Sequence, residues 1–157
     1  MGTALLSGTT LCGILDGQNT QLLLMGAGKF RAGRISFLLD SGETAVVRLE
    51  RRRAIRRSLE LEDSPLAQVT IPLRGEVELG ANAAASNDDL EALLSQRLEA
   101  ELNRLLSTLQ SLNCDAMGFG KLAVRKFSDT GDWENYDWKE AYGRMECRFS
   151  VSLQLED

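Results

Sequence analysis

"RMECRFSVSLQLE", residues 144–156, alternates without a miss. Met145, Cys147, Phe149, Val151, Leu153 and Leu155 point one way, and Arg144, Glu146, Arg148, Ser150, Ser152, Gln154 and Glu156 point the other. A two-residue period of this length predicts a strand with one buried and one wet face, and a wet face predicts an antiparallel sheet. "VTIPLRGEVEL", residues 69–79, repeats the pattern through Val69, Ile71, Leu73, Val77 and Leu79. Pro72 has no N–H to give to a ladder, which predicts an edge strand or a bulge at that point.

Between these two strands the period changes. Leu90, Leu93, Leu94, Leu98, Leu102, Leu105, Leu106, Leu109 and Leu112 recur every three or four residues, which predicts a helix over 87–112, ~39 Å long at 1.5 Å per residue. Ser86 with Asp89 forms a capping-box start, and Asp88 and Asp89 suit the positive end of the helix dipole. The stripe also suits a coiled-coil seam, but flanking strands favour a helix laid across a sheet. "ISFLLDSGETAVVRL" (35–49) reads as a hairpin joined by Asp40-Ser41-Gly42, and "TALLSGTTLCGIL" (3–15) as another turning at Ser7-Gly8. "DGQNTQLLLM" (16–25) is a short helix or turn with Asp16 as its cap, and "GANAAASN" (80–87) links strand to helix. No repeat and no dividing linker interrupt the 157 residues. The expectation is a single α+β domain, 1–157. It has an antiparallel β-sheet, one long amphipathic helix (about 87–112) packed across it, and short helices.

Composition narrows the chemistry. Apolar content of 43% and charged content of 26% suit a soluble globular domain. The net charge of −5 argues against nucleic acid as a partner. The chain has no histidine, which excludes Ser-His-Asp and Cys-His catalysis and His-ligated zinc. Cys12, Cys114 and Cys147 lie far apart and cannot all pair within one chain; Cys12 and Cys147 sit in apolar patterns and are expected to be buried small hydrophobes. No stretch reaches the ~20 apolar residues of a membrane span, and residues 1–8 resemble no signal peptide.

Three stretches carry candidate chemistry. "NCDAMGFGKL" (113–122) puts two glycines and a lysine close together, but Leu122 replaces the hydroxyl residue of a phosphate loop and a helix precedes it instead of a strand. The glycines are read as a corner that ends the long helix. "RLERRRAIRRSL" (48–59) places Arg51, Arg53 and Arg57 on the face that is apolar at Val47, Leu49 and Leu59. It is a charged strand end guarded against edge pairing, or a contact for an anionic surface, nucleic acid or lipid. "DTGDWENYDWKEAY" (129–142) concentrates Trp133, Tyr136, Trp138 and Tyr142. Trp138 and Tyr142 share a helical face, as do Tyr136 and Lys139, and the segment reads as a ligand cleft or, in preference, as a cap over one end of the core. Asp132, Glu134, Asp137 and Glu140 carry no hydrolase motif.

In succession these stretches resemble the C-terminal region of the Ger(x)C spore-germination proteins. Asp115, Gly118, Phe119 and Gly120 fall on that family's Asp-x-x-Gly-Phe-Gly. Arg125, Lys126 and Phe127 fall on its basic pair and aromatic, Trp133 on its first tryptophan, and Asp137-Trp138 on its Asp-Trp. Gly2 and Ala4 match its Gly-x-Ala start, Gly13 and Leu15 its Gly-x-Leu strand, and residues 48–61 its lysine-rich strand. Two segments depart: Asn19-Thr20-Gln21-Leu22 replaces an acidic-Thr-Arg-Gly segment, and Gly131-Asp132 replaces the proline before the first tryptophan.

The resemblance implies a non-enzymatic subunit of a nutrient germinant receptor, without cofactor, working beside A and B membrane subunits. It implies a longer lipoprotein anchored at the outer face of the spore inner membrane, of which this chain is the soluble C-terminal domain. Arg51, Arg53, Arg57, Trp133 and Trp138 are then candidate partner contacts. The alternative is an anion-binding module using the Arg51–Arg57 strand.

Overall fold

In the computed structural model, which describes residues 2–7, 10–79 and 86–156, the chain builds a sheet with one face covered by helix. The elements are β1 (Thr3–Ser7), β2 (Thr10–Leu15), α1 (Gly17–Gly26), β3 (Ala32–Leu38), β4 (Thr44–Arg51), β5 (Arg56–Glu60), β6 (Leu66–Leu79), α2 (Asn87–Ser111), α3 (Phe119–Val124), α4 (Thr130–Asn135), α5 (Trp138–Arg144) and β7 (Glu146–Leu155). Helices and strands segregate, so the α+β expectation holds. β1 and β2 pair antiparallel as a separate ribbon. Of the expected turn, Ser7 ends β1 and Gly8 lies outside the described residues, as does most of the 80–87 link.

The axis of the main sheet is β6, 14 residues long. Along one side it pairs antiparallel with β5 through Leu66–Thr70 and with β4 through Leu73–Leu79, and β3 pairs β4 beyond. Along the other side it pairs with β7. Two expectations are corrected here. β6 is central and not an edge strand, and β7 runs parallel to it. The parallel pairing follows from the connection: α2 carries the chain back along the sheet, so the next strand starts at the end where β6 started, and the Glu146 N–H donates to the Pro65 carbonyl. Pro72 is tolerated in a central strand because its partner is interrupted there. Its carbonyl accepts from Arg52 in the 52–55 break, and the N and C=O of one strand residue face the same edge. The missing N–H therefore falls at the irregularity, as the bulge reading requires.

Inward-facing Val47, Leu49, Leu59, Val69, Ile71, Leu73, Val151 and Leu153 meet Leu94, Leu98, Leu102 and Leu109 of α2. Leu93 is half-buried and Leu112 exposed, so the stripe is narrower than the sequence suggests. Apart from Leu66 and the buried Pro72, even-numbered residues of β6 and β7 form an open polar face. The outer strands β3 and β7 have edge groups closed by helix side chains. Gln18 of α1 exchanges bonds with the N–H and C=O of Ser36 in β3. Glu99 and Glu91 of α2 accept from Val151 (2.9 Å) and Leu155 (2.7 Å) in β7. The spacings match: eight helical residues advance ~12 Å and four strand residues ~13 Å. These bonds occupy donors that would otherwise recruit a foreign strand.

Removing one of them is expected to register in stability. Glu99→Ala leaves a half-buried N–H without its acceptor and is expected to cost about 1–3 kcal/mol. Glu99→Gln keeps an oxygen in place and should cost less than half as much. Urea unfolding of the two variants checks this, and equal losses would contradict the edge-cap role.

Candidate functional site

The corner after α2 is built by a left-handed residue, but by Asn113 (φ 54°) and not a glycine. The Asn113 N–H donates to the Gln110 carbonyl and the Cys114 N–H to that of Leu109, the paired bonds of a Schellman ending. Asparagine tolerates this backbone region better than most residues. Gly118, at φ 76°, instead precedes the first residue of α3. The glycines therefore start a helix, correcting the expectation that they end one. No cluster of three His, Cys, Asp or Glu among the described residues has the arrangement to hold a metal.

Asp115 sits at the centre. Its Oδ1 accepts from the Phe119 N–H (2.9 Å), and its Oδ2 from the Gly120 N–H (2.6 Å) and the Trp138 indole Nε1 (3.2 Å). A Cβ on Gly120 would lie 2.9 Å from both Asp115 Oδ2 and Trp138 Nε1. Phe119 is fully buried, and the Arg57 guanidinium lies 5.0 Å from its ring centroid. The Tyr142 hydroxyl donates to the Cys114 carbonyl (2.9 Å), and Gln110 Nε2 donates to the carbonyls of Tyr142 and Met145. Burial drives the Tyr142 phenol far above its ordinary pKa. The last turn of α2, the start of α3, α5 and the entry to β7 are thus tied together.

Arg57 belongs to this corner. It donates to the carbonyls of Gly26 (2.9 Å), Met117 and Gly118 (3.2 Å). Burial lowers its pKa while the negative Asp115 opposes the shift; a guanidinium remains charged regardless. Its donors are spent inside the chain, which separates it from Arg51 and Arg53. Those two stand exposed at the 52–55 break. Trp133 lies with Phe127, Tyr136 and Trp138 in a half-buried aromatic cluster with ring centroids 5.1–6.5 Å apart. Tyr136 lies between α4 and α5, so it shares no helical face with Lys139. The candidate residues fall into two places, the carboxylate corner and the arginine break.

The acidic residues of 129–142 include several with structural tasks. Asp129 and Asp137 cap α4 and α5, and Glu140 pairs with Arg144 at 2.9 Å. The cysteine expectation is also corrected. Cys114 is buried, while Cys12 and Cys147 are half-buried, and no disulfide joins them. Desolvation nonetheless pushes the Cys147 thiol up to about 12. Gln110 and the hydroxyl role of Tyr142 escaped the sequence reading, and Arg52 and Arg56 were not singled out within their basic stretch. A tyrosine hydroxyl inside an apolar patch and a glutamine beside a leucine stripe are the signals that point to the first two.

Gly120→Ala is expected to cost about 1–3 kcal/mol and to red-shift tryptophan fluorescence. Gly143→Ala, with nothing within 4 Å of the added Cβ, should be neutral or slightly stabilising in α5. Denaturation of both variants checks the contrast. For Cys147 the raised pKa keeps the thiol protonated in the fold, so at about pH 8 its alkylation should be slowed by at least ~100-fold relative to the unfolded chain. Timed labelling with mass spectrometry reads this directly.

No curated protein sequence matches the chain. Among solved structures, one described as the crystal structure of the GerBC protein matches with a TM-score of 0.78 at 16% identity, covering 96% of this chain and 49% of that one. The shared fold is thereby shown, and the chain spans about half the length of that relative. The model of the family described as spore germination B3/GerAC like, C-terminal, matches residues 1–157, and the chain belongs to that family.

Proposed function

We propose that this domain is a non-enzymatic interaction module of a nutrient germinant receptor. The observation that carries the reading is the family match over the whole chain. The corner supports it. Asp115, Gly118, Phe119, Gly120 and Trp138 carry the family's motifs, and each is engaged in holding α3 and α5 in place. Their work is to build a shape. Function then resides in what the shape presents, and the exposed Arg51 and Arg53 and the Trp133 aromatic cluster are the surfaces offered to partners.

In this reading the domain is the C-terminal part of a longer lipoprotein. A lipid anchor holds that protein at the outer face of the spore inner membrane, beside the A and B membrane subunits. No helix among the described residues is long and apolar enough to cross a membrane, so attachment falls to the anchor and the partners. No cofactor is required.

The test is made in spores carrying the full-length protein. Dipicolinic acid release is followed after nutrient addition and after a receptor-independent trigger. Deletion of this domain should abolish the nutrient response and spare the other trigger. Arg53→Glu and Trp133→Ala, with normal protein levels, should each slow the nutrient response at least several-fold. An unchanged nutrient response after deletion, in spores without a sister receptor, would overturn the reading.

A further inference from the structure

The open face of the sheet is electrically divided. Across β3, β4 and β6, Arg34 pairs with Glu78 (2.8 Å), Arg48 with Glu76 (2.7 Å) and Arg74 with Glu50 (2.8 Å), with Glu156 3.9 Å from Arg74. That half is neutralised internally. The half across the 52–55 break is not. Arg52, Arg53 and Arg56 are exposed and make no ion pair among the described residues. They line one groove of about 220 Å³ with Thr70, Pro72 and Ser152, and no carboxylate lines it. The protein's net charge is −5, so this local concentration of cations is not a general property of the surface.

The groove is also shaped before any ligand arrives. Arg52 is held by Gln154 Oε1 (2.8 Å) and Ser152 Oγ (3.4 Å), which fixes its planar fork over the sheet. Pro72 is buried and makes a flat floor. Thr70 and Ser152 supply hydroxyl donors at the same site. Several guanidinium forks with hydroxyls beside them suit a tetrahedral group that carries multiple oxygens and more than one charge better than a planar carboxylate.

We infer that the break between β4 and β5 is a binding pocket for a phosphate group, with Arg52, Arg53 and Arg56 as its cations. The groove is open and leaves room beside one phosphate for a substituent, as in a soluble phosphate ester or a phospholipid headgroup. This inference rests on the pocket and is independent of the receptor reading. It moves the anion site away from Arg51 and Arg57, which do not line this groove.

Two probes distinguish the sources. The intact chain is titrated with glycerol phosphate, following backbone amide shifts, and is sedimented with phosphatidylglycerol vesicles against phosphatidylcholine vesicles. Amides of 52–56 should move on titration, or the chain should sediment selectively with the anionic vesicles, and in either case binding should weaken as salt is raised. The pair Arg53→Gln and Arg56→Gln should reduce affinity by about 25-fold, about five-fold per cation. Arg125→Gln with Lys126→Gln removes the same charge elsewhere and should leave affinity within about two-fold. Response to glycerol phosphate alone assigns a soluble ester, and to vesicles alone a headgroup. Response to neither, or binding that survives the Arg53 and Arg56 substitutions, would overturn the inference.

Discussion

Three donors converge on the carboxylate of Asp115, and the direction of the last third of the chain depends on them. Two are backbone N–H groups at the start of α3, and the third is the Trp138 indole at the start of α5. Initial N–H groups of a helix have no intrahelical partners, so a side-chain acceptor defines where the helix begins and how it points. Because the same oxygen also accepts from Trp138, α3 cannot turn without carrying α5 with it. Tyr142 on α5 then reaches back to Cys114, and Gln110 holds the carbonyls that lead into β7. A single half-buried carboxylate thus sets where β7 enters the sheet.

The sheet shows a second economy. Its outer strands β3 and β7 have backbone groups satisfied by side chains of the helices that also cover its inner face. A helix packed on a sheet for hydrophobic reasons contributes polar groups along its flank at little further entropic cost, since its backbone is already ordered. Glu91 and Glu99 lie on the flank of the leucine stripe, and Gln18 lies in the first turn of α1. Polar residues bordering an apolar helical stripe acquire a role that solvent-facing residues lack.

Periodicity made β7, β6 and α2 readable, because burial imposes a period of two on strands and of about 3.6 on helices. It was silent on strand direction. Alternation reports which face is wet, and an antiparallel sheet is the commoner way to keep one face wet. Here a single helical layer leaves the other face open although β7 is parallel. Turn chemistry was half readable: the small residues of 113–120 mark a corner, but whether asparagine or glycine takes the left-handed position depends on where the helix runs out of core to cover. The arginines were the least readable. Arg57 was grouped with its neighbours in sequence, yet its carbonyl partners come from Gly26, Met117 and Gly118, contacts that no local pattern reports. The family motifs marked Asp115, Gly118, Phe119 and Gly120 as structural, and only the fold gives the bonds by which they act.

The break that opens the arginine groove lies off the core. From Arg51 to Arg56 the outer chain takes five steps, while β6 takes three from Leu73 to Thr70. The two extra residues leave the ladder, and Leu59 still faces the same side as Val47 and Leu49. Residues 52–54 are exposed, so their side chains can change without disturbing the buried face, and the charge of the groove is separable from the stability of the fold.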